Sequence, residues 1–89
     1  MTESREHQRK RLLHRSKYCG SKEMDLILGS FAEKHIAAMS DDQLDRYDTL
    51  IRNPDLDLYE WIIGRTPAPT EFDNDVMKML QEFRFHGGS

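Results

Sequence analysis

Eighty-nine residues, 33% of them charged and 37% hydrophobic, with a formal net charge of −3, set an upper bound of one small domain. A chain of this length supports a modest bundle core but not a deep substrate cleft with its own supporting shell. A single cysteine excludes an internal disulfide, four histidines without helical pairing offer no zinc spacing, and no apolar run reaches the length of a membrane span.

Period-two alternation of β-branched residues is absent, and turn chemistry divides the chain into five helical segments, so the sequence predicts an all-α fold. The first segment, Ser4 to Tyr18, is rich in helix formers and has only Leu12 and Leu13 as large aliphatics. Residues 1–22 carry seven basic side chains against two acidic ones, a local +5, and the remainder is −8. That division implies either a charged partner or a basic helix laid against its own acidic body. Gly20 can end the first helix in the left-handed conformation, and Ser21 can cap the second, Lys22 to Met39. There Met24, Ile27, Leu28, Phe31 and His35 share one face, while Gly29 admits the close approach of another helix.

Ser40-Asp41-Asp42-Gln43 has the form of a capping box. The third helix turns Leu44, Tyr47, Leu50 and Ile51 inward, and Asp41, Asp45 and Asp48 line a face expected to be solvated. Asn53-Pro54 reads as N-cap and first helical residue of a fourth helix, Asp55 to about Gly64, packing Leu58, Trp61 and Ile62. After the stiff Thr66-Pro67-Ala68-Pro69 connector, Thr70 is the expected cap of a last helix with the stripe Phe72, Val76, Met79, Leu80 and Phe83. The expectation is a compact five-helix bundle with short connections, one domain across 1–89 with an ordered core of about 10–85 and flexible ends, including a frayed tail from His86.

Motifs for catalysis are sparse. Cys19 has Arg15 and Lys17 nearby to favour a thiolate, but His14 is five positions away and off its helical face, so a turn-filling role is favoured. Asp55-Leu56-Asp57 resembles the start of a calcium loop, yet the glycine required at the sixth position and the glutamate required at the twelfth are both missing. Helix-start carboxylates facing the positive end of the dipole account for it better. Arg5, Arg9, Lys10, Arg11 and Arg15 could contact phosphate, against the acidic balance of the whole chain. The opening residues lack a signal-peptide pattern, and Glu3 and Glu6 interrupt the acid-poor composition of a presequence; a bacterial cytoplasmic location is the expectation.

Arg11-Leu12-Leu13-His14-Arg15-Ser16, the Gly20-x-x-Glu23-x-Asp25 core and Leu26-Ile27-Leu28-Gly29-Ser30-Phe31-Ala32 together resemble the succinate dehydrogenase assembly factor family. The likeness continues through Leu44–Ile51 and Asp55–Gly64, covering roughly 10–85. It implies a five-helix protein that is not an enzyme and promotes covalent attachment of FAD to the flavoprotein subunit of succinate dehydrogenase, with fumarate reductase as a further possible client. The flavoprotein would supply the flavin-bonding histidine, and this chain would bind no cofactor or metal directly. The implied partner-binding residues are Arg15, Lys17, Cys19, Gly20, Glu23 and Asp25, on a monomer that enters no membrane and contacts no nucleic acid. One departure falls in the signature: the family motif reads Arg-Gly-x-x-Glu, and Cys19 stands at the arginine position. A neutral thiol cannot make the bidentate contact of a guanidinium, so the contact is either weakened or taken over by Arg15, Lys17 or Lys22. An antitoxin-like regulatory binder, nucleic-acid binding through the first helix, and a thiol enzyme using Cys19 stand as alternatives.

Overall fold

The hydroxyl of Ser4 accepts the His7 N–H at 3.1 Å, and this cap starts α1 (Arg5–Lys17) in the computed structural model of the chain. The structure describes residues 3–18 and 22–86, with side chains as far as Phe83. The expected cap at Ser21, the expected helix stop at Gly20 and the tail Gly87-Gly88-Ser89 lie outside the described residues.

Four more helices follow: α2 (Lys22–His35), α3 (Asp41–Leu50), α4 (Asp55–Ile63) and α5 (Asp75–His86). No strand occurs among the described residues, so the all-α expectation is met. α2 stops four residues earlier than periodicity suggests. Ile36–Ala38 tighten into a 3-10 turn in which Ile36 is buried and Ala37 and Ala38 are exposed, so no apolar face extends the helix to Met39. The Ser40 capping box is present in full, with Ser40 and Gln43 exchanging backbone-to-side-chain bonds of 3.1 and 3.2 Å.

Two caps are displaced from the sequence reading. Pro54, not Asn53, holds the N-cap position of α4; Asn53 instead turns back to donate its amide to the Leu50 carbonyl at 2.9 Å, closing α3. Thr70 opens a 3-10 turn (Thr70–Phe72), and Asn74 caps α5 by accepting the Met77 N–H at 3.2 Å. The short turn lays Phe72 on Trp61, ring centroids 5.6 Å apart, which the connector prolines make geometrically possible. α4 ends on Gly64 at φ 81°, with Arg65 N–H returning to the Glu60 carbonyl at 3.0 Å.

The core lies where the helices meet. Leu12, Leu28, Phe31, Leu44, Tyr47 and Leu80 are fully buried, and Phe31 packs its ring against Tyr47 and Phe83. In α5 the inward stripe is Val76, Met77, Leu80 and Phe83; Met77 replaces the expected Met79, which is half-buried. A frame of this kind fixes α1 and α2 as an antiparallel pair and leaves the start of α2 and the start of α4 exposed side by side.

Candidate docking surface

The corner between α1 and α2 is anchored from beneath. Ser16 is fully buried near the end of α1 and its hydroxyl is hydrogen-bonded to that of Tyr47 on α3, as well as to the Leu12 carbonyl at 2.7 Å. Lys17 Nζ reaches Glu33 at 2.7 Å, tying the end of α1 to the far side of α2. Gly29 lies directly under this crossing: a Cβ there would meet Lys17 Cγ at 3.4 Å and Lys17 Cα at 3.6 Å. The close approach expected at Gly29 is therefore present, with ordinary contact distance left for a methyl group.

Of the six residues named from sequence, Cys19 and Gly20 lie outside the described residues. Arg15 is exposed and its guanidinium donates to the Tyr18 carbonyl at 3.3 Å, while Tyr18, 68% exposed, packs its ring against His14 at 4.8 Å. Glu23 and Asp25 both fall in the first turn of α2, where the unpaired N–H groups and the helix dipole favour negative charge. Glu23 is exposed and Asp25 half-exposed. Lys17 and Asp25 line one groove and Glu23 its neighbour, while Arg15 lines a different depression with Arg11, Asp48, Ile51 and Arg52; Lys17 is paired with Glu33.

Both grooves are open, and sequence reasoning did not find them. One, of about 500 Å³, runs between the starts of α2 and α4 and is lined by Lys22, Glu23, Met24, Asp55, Leu56 and Tyr59. The other, of about 480 Å³, runs along α2 past Lys22, Asp25, Leu26 and Gly29. Leu26 and Leu56 are 70% and 71% exposed. The available signal was that each falls outside the apolar stripe of its own helix.

The acidic face of α3 is the clearest correction. Asp41 and Asp45 keep the exposure expected of them, 65% and 58% at the side chain, although both meet Arg5 of α1, but Asp48 does not face solvent and lies against Gln8 and Arg11. Asp45 takes Arg5 at 2.7 Å and Gln8 at 3.1 Å. Asp48 is buried and takes Arg11 at 2.6 and 3.2 Å, Gln8 at 3.2 Å and Arg52 at 3.3 Å, while Arg11 also holds Glu3 at 2.8 and 2.9 Å. Burial pushes the Asp48 carboxyl up, but the bonds from Arg11 and Gln8 and the charges of Arg11 and Arg52 outweigh it and hold it below the usual range. The Arg5 hydrogen bond, then that of Gln8, likewise lowers Asp45. Arg9 donates to the carbonyls of Ile36 and Met39. With Lys10 3.8 Å from Glu6 and Arg15 on the Tyr18 carbonyl, all five cations considered for phosphate contact have a partner within the protein itself.

These features sit on a sequence with known relatives. A family profile described as flavinator of succinate dehydrogenase matches residues 10–84. The chain belongs to that family. It is 43% identical over 84 residues to succinate dehydrogenase assembly factor 2, mitochondrial, of Meyerozyma guilliermondii, covering 90% of this chain and 62% of that protein. The protein of the same name from Dictyostelium discoideum is 42% identical over 73 residues, covering 82% and 52%. That of Danio rerio is 42% identical over 77 residues, covering 84% and 49%. The chain spans about half to three-fifths of the length of these relatives. The matched region contains α2, α3 and α4 whole, and with them Arg15, Lys17, Glu23 and Asp25 and both grooves. All three relatives are mitochondrial by name, which lends no support to the cytoplasmic location expected from sequence. No helix among the described residues is long and apolar enough to cross a membrane.

Proposed function

We propose that this chain is an assembly factor that docks on the flavoprotein subunit of succinate dehydrogenase and promotes covalent attachment of FAD to it. The observation that carries this reading is the family match, which runs without interruption through the α1–α2 corner and the acids that open α2. The docking face is centred on Gly20, Glu23 and Asp25, with Arg15, Lys17 and Cys19 beside them. The chain supplies no proton transfer and binds no FAD of its own. It holds the domains of its client so that the flavin and the client's histidine meet in a reactive geometry with water excluded, an effect of positioning. It works as a monomer, and fumarate reductase belongs to the same class of client. The location, a bacterial cytoplasm, is part of the proposal, and fractionation of the native host tests it.

Complementation tests the reading directly. The chain is expressed in cells lacking their own assembly factor, and covalently bound flavin on the subunit is read by in-gel fluorescence. The wild-type chain restores the signal. Glu23 is exposed and is not paired with any described side chain, so Glu23→Ala retains the melting temperature to within the roughly 0.3–1 kcal/mol of a helix-start carboxylate, yet does not restore flavin attachment. Cys19→Arg, which returns the family residue, is at least as active as the wild type. No signal from the wild-type chain sinks the proposal. A large fall in stability for Glu23→Ala would make that carboxylate a structural element rather than a contact.

A further inference from the structure

Two properties of the surface between α2 and α4 set it apart from the rest of the molecule. Single exposed leucines are ordinary, but Leu26 and Leu56 are 70% and 71% exposed and lie on adjoining grooves that share Lys22, with Tyr59 lining the groove of Leu56. The second property is charge. Many acids elsewhere are held: Glu3 and Asp48 by Arg11, Asp45 by Arg5, Asp75 by Arg46, Glu33 by Lys17. Asp42, Asp57, Glu71, Asp73 and Glu82 are not held by any described side chain, but none of these lines either groove. Glu23 and Asp55, on the rim of the same groove, form an ion pair with no described side chain. They outnumber Lys22 there, whereas the adjoining groove sets Lys17 and Lys22 against Asp25 and Glu33, so the excess of acid belongs to the groove of Leu56 and Tyr59.

We infer that this face is a second, separable docking site that receives a cationic segment of the client protein. An aliphatic side chain of that segment seats against Leu56 and Tyr59, and a lysine or arginine beside it meets Glu23 and Asp55. Apolar contact at the centre and charge at the rim is the arrangement by which protein interfaces divide affinity from specificity. The site rests on the docking role proposed above and adds to it: the corner sets the geometry, and the α2–α4 groove supplies grip. Glu23 belongs to both.

Two measurements test this and separate it from the parent reading. Binding of the isolated flavoprotein subunit is titrated calorimetrically against the wild-type chain, Leu56→Ser, Leu26→Ser and a Lys78→Ser control on α5 outside both the grooves and the corner. Both leucine side chains are largely in water, so the variants retain the circular dichroism spectrum and melting temperature. Each leucine variant binds roughly tenfold more weakly, and Lys78→Ser less than threefold more weakly. In parallel, a short synthetic peptide alternating leucine with arginine, and its leucine–glutamate counterpart, are titrated into labelled protein by NMR. The arginine peptide shifts the amides of Lys22, Leu56 and Tyr59, and Leu56→Ser abolishes the shifts; the glutamate peptide leaves them in place. Subunit binding that is tight for the wild type and unchanged in both leucine variants overturns the groove site while the parent reading survives. If the wild type fails to bind the subunit at all, the parent reading falls and the peptide arm decides alone, with absent shifts overturning the site. A concentration-dependent dimer in sedimentation that Leu56→Ser dissolves would assign the face to a second copy of this chain and also overturn it.

Discussion

Asp48→Asn removes one charge from the centre of the α1–α3 contact while keeping the shape of the side chain. The carboxylate accepts two bonds from Arg11, at 2.6 and 3.2 Å, one from Gln8 at 3.2 Å and one from Arg52 at 3.3 Å, with its side chain 12% exposed. In the variant one amide oxygen still accepts, but the amide nitrogen is turned toward donors, and the bidentate charge-assisted pair with Arg11 is lost. Breaking a fully buried pair costs about 3–5 kcal/mol. Here Arg11 keeps Glu3 on its other side and is 38% exposed, so solvent and a remaining partner absorb part of the loss, and the expected effect is about 2 kcal/mol.

For a domain of this size that corresponds to a fall in melting temperature of roughly 8–16 °C. The assay is thermal and urea unfolding followed by helical circular dichroism, with unchanged m-value as the check that the same fold is being measured. The acid dependence carries a second signature. The folded carboxyl of Asp48 titrates below its unfolded value, so its stabilisation is fully present above the unfolded pKa, about 4, and is lost as pH falls through the folded pKa. Asp48→Asn therefore flattens the acid limb of the stability curve as well as lowering the plateau. A loss under about 0.5 kcal/mol at neutral pH, or an acid limb as steep as that of the wild type, would refute the assignment of this cluster as a structural tie.

Two further outcomes follow from local geometry. Gly64→Ala places a Cβ at φ 81°, with no atom within 4 Å, so the penalty is backbone strain alone, about 1 kcal/mol, read as a lower urea midpoint with unchanged m-value. Lys22 is the one cation among the described residues lining the groove with Glu23 and Asp55 and forms no ion pair with a described side chain, so Lys22→Ala removes repulsion toward a cationic segment and binds the subunit at least as tightly as the wild type in calorimetric titration.

Helices and their inward faces were legible because the information is local. Apolar spacing in α3 and α4 placed Leu44, Tyr47, Leu50, Leu58, Trp61 and Ile62 inside without knowledge of what they would meet. Caps were less so, since Thr70 and Asn74 are both competent N-caps and only the docking of Phe72 on Trp61 selects the later one. The burial of Asp48 was beyond any single-helix reading. Arg5, Gln8 and Arg11 repeat at three-residue intervals on α1, and Asp41, Asp45 and Asp48 repeat at four and three on α3, but neither series reveals that the two ladders face each other. Leu26 and Leu56 fall outside the inward stripes of their helices, so their exposure was open to a sequence reading; the grooves beside them were not, because a groove depends on how α2 and α4 pack.

The division of charge along the chain takes on a different meaning once α1 is in place. Its +5 does not face outward as a block, because Arg5 and Arg11 lie in the acids of α3 and Glu3, and Arg9 in the carbonyls that follow α2. Among the described side chains lining the α2–α4 groove, Lys22, Glu23 and Asp55 form no ion pair, which leaves an excess of one acid. Replacing the family arginine by Cys19 acts in the same direction, since it removes a cation four positions before Glu23. A client acid that would have met the arginine loses its partner, while a client cation meets less repulsion. The substitution therefore shifts binding from the corner toward the groove, and because Glu23 belongs to both, Cys19→Arg and Leu56→Ser should show a non-zero coupling energy in a double-mutant cycle on subunit binding.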